Sequence, residues 1–161
     1  MSVTNEHKGL YLSEMEHDAC GIGFVAHLKG EKSHRIIRDA LTMLENMEHR
    51  GACGCEENTG DGAGILMQIP HDYYANEVKK LGVELPALGK YGTGFIFFPQ
   101  DETKRNECKA FIKQTAEKLK FTILGYRKIT TDNSPIGPTA KSAEPVIEQL
   151  FIKPEFDFKE D

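Results

Sequence analysis

Cys20 is followed by Gly21 and Gly23, so little side-chain bulk surrounds its sulfur. An open thiol of this kind is what a nucleophile needs. A small buried hydrophobe at a strand start is the other reading of the same residue. If the chain were cleaved before Cys20, that residue would carry an α-amine of pKa about 7.7 to 8.0, close to the thiol's value of about 8.5. Nucleophile and base would then share one residue, and the thiolate could attack a carbonyl to form an acyl-enzyme. Three further constellations lie downstream. In Glu48-His49-Arg50-Gly51, Arg50 could hold a carbonyl or carboxylate beside the nucleophile, or be a solvated cation at a helix C-terminus. Cys53-Gly54-Cys55, with His49 and His17, invites zinc. Structural zinc sites pair cysteines two to four residues apart and need a second such pair, which is missing, since Cys108 sits within a predicted helix. Thr59-Gly60-Asp61-Gly62-Ala63-Gly64 is rich enough in glycine to cradle a phosphate. It lacks the Gly-Lys-Ser/Thr ending of a P-loop and precedes a strand instead of a helix, so a tight turn beneath a site is the preferred reading.

The elements that position these residues follow from periodicity. Residues 1–19 are polar and unpatterned, and read as a removable leader. Residues 20–28 alternate Ile22, Phe24, Ala26 and Leu28 with Gly21, Gly23, Val25 and His27, which predicts a buried strand. A turn over residues 29–32 leads to Ser33, the expected N-cap of a helix with Ile36, Ile37, Ala40, Leu41, Leu44 and Met47 on one face and Gly51 as its stop. The glycine-rich stretch 51–64 must be a loop. Strands are then predicted over 65–69, 90–98, 121–129 (with a bulge at Gly125) and 146–152. Helices are predicted over 71–81 and 101–120, the latter with Cys108, Phe111, Ile112, Thr115 and Leu119 inward. Residues 131–138 read as a turn-rich loop. The order gives a mixed α/β domain with helices covering sheet.

The chain has 161 residues, enough for one domain that buries about two-thirds of its unfolded surface without disulfides. A net charge of −5 and the absence of a basic stripe argue against nucleic acid or an anionic membrane as the main partner. Apolar runs fall far short of the roughly 18 residues that cross a bilayer, and acidic residues before Cys20 are unlike a secretory signal. A cytoplasmic setting with reduced thiols is expected, and a plastid or other organelle stays open.

Taken together, Cys20-Gly21-Ile22-Gly23-Phe24, His49-Arg50-Gly51 and Thr59-Gly60-Asp61-Gly62-Ala63-Gly64 resemble the start of the class II glutamine amidotransferases. Glu16-His17-Asp18-Ala19-Cys20-Gly21, Phe24-Val25-Ala26-His27-Leu28-Lys29-Gly30 and His49-Arg50-Gly51-Ala52 are similar to its glutamate synthase branch in particular. The likeness is dense over residues 10–70 and resumes at Asp132-Asn133-Ser134 and Glu144-Pro145-Val146-Ile147. The resemblance implies an α+β fold, the four-layer αββα sandwich of N-terminal-nucleophile hydrolases, here as an incomplete N-terminal part. It also implies a propeptide-like leader over residues 1–19 and an amidotransferase portion over 20–161. Cys20 would attack the side-chain amide of L-glutamine, releasing ammonia for glutamate synthesis from 2-oxoglutarate, with Arg50 and Gly51 supporting its surroundings.

The family's oxyanion-hole Asn-Gly motif, its second arginine and its substrate-binding aspartate fall farther along and are not recognisable here. A single oxyanion donor is worth about 10²- to 10³-fold in rate, so the isolated chain is expected to be a poor glutaminase. The resemblance places FMN and an iron–sulfur cluster in the complete enzyme and none in this segment. Its partners would be the synthase portion and an electron-donor subunit or ferredoxin. A non-catalytic assembly module, or a small metal-binding module through Cys53 and Cys55, are the other readings.

Overall fold

The computed structural model describes residues 21–50, 56, 59–60 and 62–156, with Arg50 by its backbone alone. The chain divides into two compact units, Met1–Met67 and Gln68–Asp161.

In the first unit, residues 21–27 belong to no helix or strand, and Leu28 begins a turn. The turn closes with the Gly30 amide donating to the His27 carbonyl at 2.9 Å and Gly30 at φ +69°, a conformation that suits glycine. Ser33 caps helix α1 (His34–Asn46), its hydroxyl accepting from the Arg35 amide at 3.2 Å. Ile36, Ile37, Ala40, Met43, Leu44 and Met47 are its half-buried positions, the apolar stripe a 3.6-residue period dictates. Leu41, expected on that stripe, is exposed. The helix stops a turn before Gly51, where Met47 breaks the helical angles and a 3-10 turn, Glu48–Arg50, follows.

Two predicted strands are not formed. Residues 21–28 and 65–69 carry the right alternation or apolar run but make no ladder with each other or with any described residue. A strand needs a partner to satisfy its backbone groups, and side-chain period alone does not supply one. Ile22, Phe24, Leu28 and Leu66 accordingly stand exposed.

The second unit is a small α+β assembly. Helix α2 (His71–Lys79) ends as expected at Gly82, φ +75°. The Val83 amide reaches the Val78 carbonyl at 3.1 Å and the Gly82 amide the Lys79 carbonyl at 3.0 Å, a Schellman closure. Three antiparallel strands follow, β1 (Gly92–Phe98), β2 (Phe121–Lys128) and β3 (Val146–Pro154), in the order β1-β3-β2. Helix α3 (Glu102–Lys118) joins β1 to β2, capped by the Asp101 carboxylate, which accepts from the Lys104 amide at 2.8 Å. A short helix α4 (Pro138–Ala143) precedes β3. The sequence predicts no helix over residues 138–143, although a proline in the first turn after Gly137 is a start signal.

Alternation along β3 assigns the two sheet faces. Phe151 and Gln149 face α2, where Tyr74, Val78, Tyr91 and Phe151 form the core, with Ile69, Val83, Leu85 and Leu124 packed around it. Tyr74 meets Phe151 edge-on, ring centroids 5.6 Å apart. Leu150 and Ile152 face α3. The predicted bulge is present: the register shifts between Ile123 and Gly125. A Cβ at Gly125 would lie 3.0 Å from Val83 Cγ2, tighter than ordinary contact, so a side chain there would press on Val83.

One expectation about α3 is corrected. Cys108, Phe111, Thr115 and Leu119 are exposed, and the positions turned inward are Arg105, Lys109, Ile112 and Ala116. Two cations occupy the inward stripe because each has a specific partner. Arg105 Nη1 donates to the carbonyls of Pro99 and Gln100 at 3.1 and 3.0 Å. Lys109 Nζ pairs with Glu148 at 2.7 Å while lying 4.8 Å from the Tyr126 ring centroid. Hydrophobicity alone could not find a stripe anchored by charge.

Candidate active site

Cys20, Gly51, Cys53, Cys55, His17 and Asp61 lie outside the described residues, and so does the Arg50 side chain. What is described is the scaffold on either side of them. A Cβ on Gly21 would sit 2.8 Å from Met47 Sδ, and a Cβ on Gly23 would overlap Met43 Sδ and lie 3.1 Å from its Cγ. The segment that follows Cys20 therefore runs antiparallel to α1, its glycines against two methionines one helical turn apart. The spacings agree. Two extended residues advance about 6.6 Å and four helical residues about 6.0 Å, so a glycine at every second position meets a side chain at every fourth.

This packing brings together two of the motifs singled out in the sequence. Gly21, the residue after Cys20, lies at the C-terminal end of α1, and Met47, its contact, directly precedes the Glu48–Arg50 turn. From the sequence alone, glycine here leaves room around a thiol. Its role among the described residues is close approach to a helix, which the sequence had no means of naming.

The glycine-rich loop is described at Glu56, Thr59, Gly60 and residues 62–64. Thr59 bonds back to Glu56 twice, its amide to the carbonyl and its hydroxyl to the carboxylate, both at 3.1 Å. Gly62 takes φ +97°, a conformation that suits glycine.

The two later motifs also meet. Glu144 accepts from Asn133 Nδ2 at 2.8 Å and from the Thr131 hydroxyl at 3.2 Å, clasping the loop ahead of α4 to the start of β3. Asp132 accepts from the Ser134 amide at 3.0 Å, and that bond, with the Ser134 hydroxyl, lowers its carboxyl below the ordinary value. These residues hold a loop in shape and make no acid–base pair.

A polar network that sequence reading missed lies under α2. Gln149 is fully buried; its Oε1 accepts from Arg127 Nε and Nη2 at 3.0 and 2.7 Å, and its Nε2 donates to the Thr93 hydroxyl at 3.0 Å. The Thr93 hydroxyl in turn donates to the Leu150 carbonyl at 2.8 Å. Glu77 approaches Arg127 at 3.9 Å and is held below the usual carboxylate range, chiefly by its hydrogen bond from Lys80. Opposed residues in paired strands, Gln149 with Arg127, would have been the signal, but pairing is not visible before register is known. Among the described residues no group of three or more His, Cys, Asp or Glu side chains is arranged to hold a metal ion.

The motifs that the scaffold unites are those of one family, and the family model of class-II glutamine amidotransferases matches residues 20–161, starting on Cys20. The chain belongs to the class II glutamine amidotransferases. Among its relatives, the Saccharomyces cerevisiae protein "Glutamate synthase [NADH]" is 42% identical over 99% of this amidotransferase chain, which covers 8% of that protein. The Bacillus subtilis "Glutamate synthase [NADPH] large chain" is 40% identical over 95% of the chain and 10% of its own length. The rice "Ferredoxin-dependent glutamate synthase, chloroplastic" is 41% identical over 86% and 8%. The amidotransferase chain thus spans about a tenth or less of these relatives. No described helix is long and apolar enough to cross a membrane.

Proposed function

We propose that this chain is the nucleophile-bearing portion of the glutaminase of a glutamate synthase. The observation that carries the reading is the family match beginning on Cys20, with Gly21 seated at the end of α1 that leads to Arg50. Removal of residues 1–19 frees the Cys20 α-amine. That amine takes the thiol proton, the thiolate adds to the side-chain carbonyl of L-glutamine, and the proton returns to nitrogen as ammonia leaves. Water then hydrolyses the glutamyl thioester to glutamate. Arg50 and Gly51 belong to the nucleophile's surroundings, and the domain completes an αββα sandwich. Ammonia passes to a synthase portion that converts 2-oxoglutarate to glutamate with FMN and an iron–sulfur cluster, using electrons from a donor subunit or ferredoxin.

The test is covalent labelling by diazo-oxo-norleucine, a glutamine-mimicking electrophile. In the longer protein, one adduct is expected on Cys20 of a chain whose intact mass begins at that residue. Cys20→Ala should abolish glutamine-dependent synthesis and spare ammonia-dependent synthesis. Equal loss of both, or an active protein that retains Met1, rejects the assigned role or the processing step respectively. The isolated 161-residue chain should turn over glutamine at least 10²-fold more slowly than a complete domain, the loss expected when an oxyanion donor is missing.

A further inference from the structure

The two edges of the three-stranded sheet differ. β2 carries Arg127, Lys128 and the register shift at Gly125, features that deter a further strand from pairing. β1, from Gly92 to Phe98, has no charge, no proline and no register shift. Which of its backbone groups are free follows from β3. The Ile129 amide donates to the Ile147 carbonyl at 3.0 Å, so Ile147 turns its backbone groups toward β2. By alternation Glu148, Leu150 and Ile152 turn theirs toward β1, where Ile96, Gly94 and Gly92 stand opposite them. Thr93, Phe95 and Phe97 are left with their amides and carbonyls on the outer side, unpaired among the described residues. The same three residues share the α2 face with Phe151, Gln149 and Ile147, and there Phe95 and Phe97 stay 54% and 66% exposed.

We infer that this edge is where two copies of the chain join, β1 pairing antiparallel with β1 of the second copy about a two-fold axis at Phe95. Phe95 is the middle of the three free residues, and centring the axis there pairs all of them: Phe95 with Phe95, and Thr93 with Phe97 at either end. Each hydrogen-bonded antiparallel pair exchanges two bonds, so the three pairs supply about six. Pro99 has no amide to give and ends the ladder beyond Phe97. Charge at the strand ends selects direction. Lys90 precedes β1 and Asp101 follows it, both exposed, so antiparallel pairing directs Lys90 of each copy to the Asp101 end of the other, where parallel pairing would set like charges together. The exposed phenylalanines become cross-strand neighbours, and their apolar surface leaves water as the edge closes. The junction lies wholly in the second unit and does not depend on whether Cys20 is the nucleophile.

Sedimentation equilibrium of the 161-residue chain over about 1–200 μM tests it, and a reversible monomer–dimer equilibrium is expected in that range. Phe95→Lys and Phe95→Glu each set like charges directly across the axis and should weaken association about tenfold or more. Mixed in equal amounts, the two variants set opposite charges across the axis and should associate again as a heterodimer. A variant that had merely lost its fold would gain nothing from its opposite. Phe95→Pro removes only an outward amide and should also leave a monomer. Phe111→Lys, at an exposed position on α3, should associate as the parent does. Hydrogen exchange locates the junction: the amides of Thr93, Phe95 and Phe97 should slow as concentration rises, and those of Gly94 and Ile96, already paired with β3, should not. A parent chain that stays monomeric across the range overturns the inference. So does a dimer that Phe111→Lys breaks and Phe95→Lys spares, a mixture of the two Phe95 variants that associates no better than either alone, or exchange at Thr93, Phe95 and Phe97 that ignores concentration.

Discussion

Gly23→Ala is the sharpest perturbation of the scaffold beside Cys20. The added methyl would overlap Met43 Sδ while Met43 Cγ and Cε lie at 3.1 and 3.2 Å, so the whole methionine side chain must leave its position. Overpacking of this kind costs about 1–3 kcal/mol. Replacing glycine also removes unfolded-state freedom, which returns about 0.4–1 kcal/mol. The clash wins, and the contact between residues 21–28 and α1 should weaken by about 0.5–2 kcal/mol, roughly a two- to thirtyfold rise in its opening. Gly21→Ala is the internal control. There the 2.8 Å approach is to the sulfur of Met47 alone, with Cβ and Cγ at 3.4 Å, so the far end of a flexible side chain can yield. That variant should fall within about 0.5 kcal/mol of the parent. Hydrogen exchange of the amides of residues 21–28 reads the opening directly. Met43→Ala should relieve Gly23→Ala, giving a double variant that exchanges more slowly than the two single effects predict. If Gly23→Ala exchanges no faster than Gly21→Ala, or if Met43→Ala brings no relief, the packing of this segment on α1 is wrong.

The buried amide and the tyrosines give two further tests. Gln149→Leu removes the acceptor of two Arg127 donors, and hydrogen bonds to a charged group are worth about 1.5–3 kcal/mol, so urea unfolding should show a loss of about 2–4 kcal/mol. Near-ultraviolet circular dichroism suits it, because Tyr73, Tyr74, Tyr91 and Tyr126 lie in the second unit; a loss under 0.5 kcal/mol would make the network ornamental. Burial raises the phenols of Tyr91 and Tyr126 above their ordinary 10.0, and the Tyr126 hydroxyl has no hydrogen-bond partner among the described residues. A raised folded value means their contribution is whole below pH 10 and lost as pH rises through the folded values. Absorbance titration at alkaline pH should show two late-ionising tyrosines that Tyr91→Phe and Tyr126→Phe each remove singly. At the acid end the sign reverses: Asp132 and Glu77 are lowered, so their contribution is whole above pH 4.5 and lost as pH falls through the folded values. Asp132→Asn should flatten the acid limb of a stability profile; an unchanged limb would contradict its bond to Ser134.

Local signals carried well from sequence to structure. Ser33 caps α1 because a short side-chain oxygen satisfies an orphan amide, Gly82 ends α2 because it accepts a positive φ, and Gly125 marks a bulge where a side chain would press on Val83. Each is decided within a few residues. What stayed hidden was decided across the chain. Thr93, Arg127 and Gln149 form a network only once β1, β3 and β2 are in register, and α3 turns Lys109 inward only because Glu148 stands opposite. Of the candidate site, the family was legible. The reason for the glycines was not, since a glycine that frees a thiol and one that admits a methionine look alike in sequence.

The same glycines explain why residues 21–28 keep the period of a strand without being one. Gly21 and Gly23 turn toward α1, so Ile22, Phe24 and Leu28 turn away from it, and all three are 90% exposed or more. Alternation is thus realised in the backbone, with the glycine side spent on the helix and the apolar side open. Covering the three side chains would be worth about 1.5–3 kcal/mol each, and a neighbouring strand would also satisfy the backbone groups that no described residue pairs. The segment therefore has its glycine side against α1 and its apolar side open among the described residues, immediately beside the proposed nucleophile. Substituting Phe24 by a charged residue should leave the α1 contact intact, because Phe24 points away from the helix, and should disable only whatever covers that open face. If hydrogen exchange of residues 21–28 in the isolated chain rose in Phe24→Lys as it does in Gly23→Ala, the two faces would not be separate, and the assignment of one to α1 and the other to a covering surface would fail.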